Sequence, residues 1–155
     1  MADNYDVVVI ASPNELKLIP EYVKDSRYSI IITGIGYGNV FNALKDLPRD
    51  TKIINIGYAG SNRLAIGSSY EITWSYNYHP NVEYDEPKYK CQTNTKTGVP
   101  CYSSSDFVLQ TNIKEPCVFD MELYAINAMG FTDVRAIKVV SDNLNYKEYE
   151  NNSGN

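Results

Sequence analysis

Two apolar runs with the composition of β-strands lead into acidic residues in the last third of the chain. Residues 118–122 contain Asp120 and Glu122, and residues 137–142 end at Asp142. The stretch between them has the length of the helix in a strand–helix–strand unit, so both runs would end at the same edge of a parallel sheet. Open α/β sheets bind ligands at that edge, where carboxylates could transfer protons or hold a polar ligand.

Three further strand ends carry small or acidic residues. They comprise residues 11–15, which end at Glu15, the glycine-rich residues 34–38, and residues 57–60. In a mainly parallel sheet these turns and the two acidic strand ends would gather at the carboxyl edge, although they are far apart in sequence. The sequence therefore predicts one pocket that several turns and acids could share.

Each of these features also has a purely structural interpretation. Glycines allow tight strand-to-helix turns, and residues 34–38 depart from the dinucleotide-binding fingerprint because Asn39 occupies its sixth position. Glu15 and Glu122 could equally belong to the caps or first turns of helices. Asp142 is the stronger candidate for chemistry, because no long periodic segment follows that it could cap.

The elements that would position these residues are predicted from the hydrophobic pattern. Four strands precede the acid-tipped pair, at residues 7–11, 28–33, 52–56 and 69–78. Helices are predicted from Pro13 to about residue 24, over 39–47, for a short distance from Ser104, and over 122–129. Residues 79–101 are predicted to form a long loop or an irregular hairpin. The chain is predicted to form one domain over residues 1–145, followed by a frayed polar tail over 146–155.

The overall composition limits the partners. A formal net charge of −5 argues against nucleic acid or an anionic membrane, since either would require clustered Lys and Arg. No apolar run reaches the roughly 18 residues of a membrane span, and no signal-peptide segment is evident, so a cytoplasmic protein is expected. Cys91, Cys101, Cys117 and the single His79 lack the spacing of metal or redox motifs, so no metal or cofactor is predicted.

Five segments, in chain order, carry a resemblance to a known family: residues 32–36, 54–60, 105–108, 119–122 and 140–142. Taken together they resemble the nucleoside phosphorylase and nucleosidase superfamily, and most closely the methylthioadenosine/S-adenosylhomocysteine nucleosidases. The resemblance implies an α/β fold, a three-layer sandwich with a twisted, partly barrelled, mostly parallel mixed sheet. It also implies a homodimer or a larger homo-oligomer.

The resemblance implies catalytic roles for three acids. Asp142 stands where the family's general acid protonates N7 of a purine, which requires a partly buried carboxyl with a raised pKa. Glu15 stands where the nucleosidases keep the carboxylate that orients and deprotonates the attacking water. Glu122 matches the glutamate that hydrogen-bonds the ribose hydroxyls and stabilises the oxocarbenium-like sugar.

The resemblance also implies further contacts with the substrate. Met121 would pack against the ribose, Phe107 would stack on the base, and the backbone of Val108 would read the base edge. The two residues that end the segment 54–60 would line the floor near the attacking water. The expected substrate-binding residues are Glu122, Met121, Phe107, Val108, Ala59, Gly60 and Ser141.

Two features favour water over phosphate as the nucleophile. The bacterial-type phosphorylases carry an arginine shortly before the Gly-x-x-Gly segment, whereas residues 52–56 here have the apolar character of a buried strand. Glu15 would supply the base that water needs, while phosphate would need cationic partners. The predicted activity is that of a purine nucleosidase acting on 5′-methylthioadenosine or a related 5′-modified adenosine. A phosphate-dependent nucleoside phosphorylase remains an alternative.

Departures from the family pattern leave a third alternative open, a catalytically weak nucleoside-binding homologue. Tyr58 replaces a small serine, and Lys138 stands where an arginine is usual. The chain is also shorter than its relatives, both at residues 79–101 and at its end. The relatives' C-terminal helix, which supplies part of the pocket for the 5′ substituent, is therefore expected to be missing.

Overall fold

Eight β-strands in the described part of the chain form one mixed sheet; the computed structural model describes residues 5–24, 27–78 and 90–154. The strands are β1 Val7–Ile10, β2 Ser29–Ile32, β3 Lys52–Ser61, β4 Ser69–Asn77, β5 Lys90–Gln92, β6 Val99–Ser103, β7 Val118–Asp120 and β8 Asp133–Asp142. A 3₁₀ helix, Pro13–Leu18, runs into α1, Ile19–Tyr22, and the other helices are α2 Tyr37–Leu44, α3 Leu123–Ala128 and α4 Tyr146–Ser153. His79, residues 80–89 of the predicted loop and the side chain of Cys91 lie outside the described residues.

The contacts of strand β1 show that the sheet lies between two helical layers. Its four β-branched residues are all buried, as expected of a strand covered on both faces. Val7 and Val9 pack in one core cluster with residues of α2 and α3, while Val8 and Ile10 pack in another with residues of the 3₁₀ helix and α1. Parallel pairing joins β1 to β2 and β3, β3 to β8, and β6 to β4 and β7. The predicted three-layer sandwich with a mostly parallel mixed sheet is confirmed.

Five strands close part of the sheet on itself. β3 pairs in parallel with β8 and, at Gly60 and Ser61, antiparallel with β7. β8 pairs antiparallel with β4, and β6 joins β4 to β7, so the circuit returns to β3. Gly60 lies between Phe119 of β7 and Asp142 of β8, next to a register shift in β3. This closure brings the ends of β7 and β8 together.

The two acid-tipped strands do not belong to one simple parallel unit, and in this respect the prediction was wrong. α3 lies between them in sequence, as predicted. However, β8 runs parallel to β3 and β7 runs antiparallel to it, so the two strands run in opposite directions on either side of β3. The acids meet because the sheet closes.

The short helix predicted from Ser104 is also wrong. Residues 104–117 contain no helix. Val108 and Ile113 instead pack in a small core cluster around Phe119. Tertiary contacts therefore outweigh the weak local helical signal here. In the preceding segment, β5 pairs antiparallel with β4 in the part that the structure describes.

The residues expected to form a frayed polar tail include helix α4. Its N-cap is Asn145, whose Oδ1 accepts a hydrogen bond of 2.9 Å from the N–H of Glu148, and Gly154 ends it with a φ of 84°. A helix therefore does follow Asp142, contrary to the expectation from sequence. α4 is short and polar, and no helix in the described ranges is long and apolar enough to cross a membrane.

Candidate active site

A cleft of about 250 Å³ lies where the ends of β3 and β7 meet the 3₁₀ helix and α4. A narrow pocket adjoins the cleft, shares part of its lining and extends to Val108 and Asp142. The two spaces therefore form one continuous site. The cleft is lined by Glu15, Ile35, Tyr58, Ala59, Gly60, Phe107, Phe119, Asp120, Met121, Glu122, Tyr146 and Tyr149.

Glu15 is held rigidly by the backbone. Its Oε1 accepts a hydrogen bond from the N–H of Ala11 and its Oε2 one from the N–H of Tyr58, each at 2.8 Å. Gly57 makes this approach possible, since a Cβ there would lie 2.7 Å from Oε2. Burial raises the pKa of Glu15, while Lys138 and the backbone hydrogen bonds partly oppose that rise. A fixed carboxylate with a raised pKa is suited to act as a general base.

Glu122 follows β7 directly and connects the cleft to the glycine-rich loop. Its Oε2 accepts a 2.9 Å hydrogen bond from the N–H of Gly36. Burial and the neighbouring Asp120 raise the pKa of Glu122 to about 7, against the opposing effect of Lys138. Glu122 therefore changes between its protonated and charged forms near neutral pH.

Asp142 ends β8 and is fully buried beside the narrow pocket. Its Oδ1 accepts a hydrogen bond of 2.7 Å from the hydroxyl of Ser141, and its Oδ2 accepts from the N–H groups of Leu144 at 3.0 Å and Asn145 at 3.3 Å. Burial raises the pKa of Asp142, and these hydrogen bonds oppose the rise without reversing it. The net shift favours the protonated form that a general acid needs. The same contacts also shape the turn before α4.

A buried ion pair lies at the base of the site. Nζ of Lys138 is 2.9 Å from Oδ2 of Asp120, and both side chains are 1% exposed. The hydroxyl of Ser103 and the N–H of Leu123 also donate to Asp120. Burial alone would raise the pKa of Asp120, but Lys138 and Ser103 hold it below its usual value. The sequence marked Lys138 as a departure from the family pattern but gave no sign that it would be buried against an acid.

Helix α4 adds an aromatic wall that the sequence prediction missed. Tyr146 and Tyr149 line the cleft and meet Phe107 edge-on, with ring centroids 5.3 and 5.5 Å apart. Both tyrosines fall within residues 146–155, which the sequence predicts to be a frayed polar tail. Their spacing of three residues, which places them on one face of a helix, is the signal that could have identified them.

The structure brings the predicted site residues together. Ser141 is fully buried and reaches the site through its hydrogen bond to Asp142. Glu15, Ala59, Gly60, Phe107, Met121 and Glu122 line the cleft, while Val108 and Asp142 line the narrow pocket. Their individual roles stay predictions. The sequence assigned no role to Ile35, Phe119, Asp120, Tyr146 or Tyr149.

The charge of the site is one-sided. Among the described residues that line the cleft and the narrow pocket there is no Lys or Arg, while carboxyl groups come from Glu15, Asp106, Asp120, Glu122 and Asp142. No three His, Cys, Asp or Glu side chains in the described ranges are arranged to hold a metal ion. Phosphate and other strong anions bind preferentially to cationic side chains. The lining therefore disfavours a strongly anionic ligand.

Several solved structures share this fold. The MTAN of Chlamydia trachomatis has a TM-score of 0.73 and 17% identity, over 97% of this chain and 90% of that chain. A Helicobacter pylori MTAN variant with 5′-methylthioadenosine in its active site has a TM-score of 0.72 and 14% identity, over 97% and 94%. Futalosine hydrolase of Helicobacter pylori has a TM-score of 0.72 and 13% identity, over 94% and 89%.

Sequence comparison alone finds no such likeness. No protein-family model matches the chain, and no curated protein has a matching sequence. The structural similarity nevertheless extends over nearly the whole chain. The chain has the fold of the nucleoside phosphorylase and nucleosidase superfamily.

Proposed function

We propose that the chain is a purine nucleosidase, which hydrolyses the N-glycosidic bond of 5′-methylthioadenosine or a related 5′-modified adenosine. The observation that carries the proposal is the separation of acids within one continuous site. Asp142 lies at the narrow pocket, whereas Glu15 and Glu122 lie at the wider cleft. A purine bound in the cleft could then direct one edge toward Asp142, while its sugar lies against Glu15 and Glu122.

In this mechanism Asp142 donates its proton to N7 of the purine. The bond between the sugar and the base breaks, and its electron pair leaves with the base, which becomes neutral. Glu15 removes a proton from water, and the water oxygen forms the new bond to the sugar carbon. Glu122 accepts hydrogen bonds from the ribose hydroxyls as positive charge develops on the sugar. Burial raises the pKa of both groups, which favours a protonated Asp142 as the acid and makes Glu15 a stronger base once it is ionised.

Water is favoured over phosphate because of the charge of the lining. Lys138, the buried cation near the acids, is already paired with Asp120 at 2.9 Å. A phosphate dianion beside Glu15 and Glu122 would meet negative charge without a cationic side chain from the described lining. A neutral water molecule meets no such repulsion.

The decisive test is adenine release from 5′-methylthioadenosine, followed by a coupled absorbance assay with and without phosphate. Hydrolysis predicts release in both conditions and a free sugar product. Asp142→Asn is expected to lower turnover roughly 10²–10⁴-fold with little change in substrate binding. Asp133→Asn, at the opposite end of the same strand, is the matched control.

Other outcomes of this assay would contradict the proposal. A sugar 1-phosphate formed only with phosphate would identify a phosphorylase. Tight nucleoside binding without release would identify a binding homologue, the alternative that Tyr58 in the cleft lining raises. Unchanged turnover in Asp142→Asn would remove Asp142 from the mechanism.

We also propose that the protein forms a homodimer or a larger homo-oligomer. Apolar side chains on and beside β2 and α2 are exposed: Ile30 by 43%, Ile32 by 45%, Ile35 by 50% and Phe41 by 55%. A second copy could cover them. Light scattering tests this, and a monomer at all concentrations would contradict it.

A further inference from the structure

Helix α4 is attached at both ends to segments that carry proposed catalytic acids. At its N-terminal end, Oδ2 of Asp142 accepts hydrogen bonds from the turn that leads into the helix. At its C-terminal end, the carbonyl oxygen of Ser153 accepts from Nδ2 of Asn14 at 3.0 Å and from Nζ of Lys17 at 3.4 Å. Asn14 and Lys17 belong to the 3₁₀ helix that carries Glu15. α4 therefore bridges the two sides of the cleft.

The helix depends on these attachments. It has eight residues and a polar sequence, and an isolated helix of that length is marginal in water. Its last residue, Ser153, is nevertheless fully buried. Gly154 follows with a positive φ, and a Cβ there would collide with Nζ of Lys17. The lysine also places a positive charge at the negative end of the helix, where it is favourable.

A hydrogen bond from Ser12 orients the Asn14 side chain for its contact with Ser153. The hydroxyl of Ser12 donates a hydrogen bond to Oδ1 of Asn14, which leaves Nδ2 directed at the carbonyl of Ser153. Neither Asn14 nor Lys17 lines the cleft. Nζ of Lys17 lies 5.7 Å from the ring centroid of Tyr58, which does line it, so a change at Lys17 could also act on the cleft directly. A substitution of Asn14 is therefore the more specific test of the contact with Ser153.

Attachment of the helix determines whether the cleft has its aromatic wall. Tyr146 and Tyr149 reach the cleft only from the folded α4, where they contact the ring of Phe107 edge-on. Glu15, in contrast, is fixed by the backbone of Ala11 and Tyr58 and does not need α4. Release of the C-terminal end of α4 would therefore weaken substrate binding more than the chemical step.

We propose that Asn14 and Lys17 are positioning residues that clamp α4 over the cleft and hold its two tyrosines against the bound substrate. The part that concerns substrate rests on the proposed nucleosidase function. The clamp itself consists of the hydrogen bonds from the Asn14 and Lys17 side chains to the Ser153 carbonyl, and it does not depend on that function.

Hydrogen exchange of residues 146–154 in the full chain tests the clamp without reference to activity. The double variant Asn14→Ala with Lys17→Ala is expected to speed exchange on the order of tenfold. The single variant Lys17→Arg keeps a cation at the helix end and leaves Asn14 intact, so it should retain most of the wild-type protection from exchange. The matched control is Lys24→Ala, because the ammonium group of Lys24 donates to the carbonyl of Pro20 in α1 and not to α4. Unchanged exchange in the double variant would overturn the clamp.

Kinetics with 5′-methylthioadenosine test the role in binding. Asn14→Ala is expected to raise KM several-fold while kcat stays within about twofold, because Glu15 keeps its own contacts. Faster exchange with an unchanged KM, or a fall in kcat as large as the rise in KM, would overturn the positioning role. If the wild-type chain releases no adenine, the proposed function fails. Hydrogen exchange still decides whether the clamp exists.

Discussion

The buried pair of Asp120 and Lys138 leads to a prediction about stability. Lys138→Met keeps an unbranched apolar stem but removes the ammonium group 2.9 Å from Oδ2 of Asp120. Both side chains are 1% exposed, so the variant leaves an acid buried without its cation. Removing one partner of such a pair costs about 3–5 kcal/mol. This cost lowers the folding equilibrium constant roughly 10²–10⁴-fold.

The cost should depend on pH in a defined direction. In the wild type the pKa of Asp120 lies below its usual value, so its contribution to stability is present above the unfolded-state pKa and is lost as pH falls through the folded-state value. In the variant, burial is no longer opposed by Lys138, and the pKa of Asp120 rises above the unfolded value. Protonation then removes the unpaired charge. The stability difference between the two proteins is therefore largest at neutral pH and shrinks toward about pH 4.

Urea unfolding at about pH 7.5 and about pH 4.5 measures this difference. Arg135→Met is the matched control, because Arg135 lies on the same strand and pairs with Glu71, but with side chains 16% and 35% exposed. This pair is less deeply buried, so its loss is expected to cost less than the loss of the pair between Asp120 and Lys138. Adding Asp120→Asn to Lys138→Met should recover part of the loss, because no charge is then left unpaired. The reasoning would be refuted if Lys138→Met lost no more stability than Arg135→Met. It would also be refuted if the loss in the double variant equalled the sum of the losses in Lys138→Met and Asp120→Asn.

Two further predictions concern the other acids. Gly57→Ala should displace Glu15, since the new Cβ would lie 2.7 Å from its Oε2, and lower turnover by up to roughly 10²–10⁴-fold. Gly38→Ala, whose Cβ would meet nothing within 4 Å, is the control, and equal turnover in the two variants would contradict the role of Glu15. Glu122→Gln should raise stability above about pH 7, because the folded-state pKa of Glu122 is raised from 4.5 to about 7 and its ionisation with rising pH costs stability. Thermal unfolding across pH measures this gain, and its absence at alkaline pH would count against the pKa shift.

The parts of the fold that were predictable are those with strong local signals. The four consecutive β-branched residues of β1 allow little besides a buried strand. The closure of the sheet had no such signal, because the antiparallel pairing of β7 with β3 joins segments far apart in sequence. Periodicity indicates that residues 118–120 form a strand, but it does not give the direction of that strand relative to its partner.

Helix α4 shows the same limit at its ends. Its sequence is polar, and the contacts that support it come from distant side chains, Phe107 near its middle and Asn14 at its C-terminal end. Asn145 was a readable N-cap, with Glu148 three residues on. Without the tertiary contacts that cap does not outweigh the low helical tendency of an eight-residue segment.

The acids of the site share the effect of burial but differ in the charges that lie near them. Lys138 opposes the effect of burial on the pKa values of Asp120, Glu15 and Glu122, and at Asp120 it reverses that effect, whereas the pKa values of Glu15 and Glu122 stay raised. Burial raises the pKa of Asp142, and the nearby charge of Glu148 adds to that rise. Only neutral hydrogen-bond donors oppose it. The charges around Glu15 and Asp142 therefore act in opposite directions, although burial raises both pKa values. The residue types alone are compatible with either assignment of acid and base. Lys138 favours the charged form of Glu15, which a general base needs, whereas Glu148 favours the protonated form of Asp142, which a general acid needs.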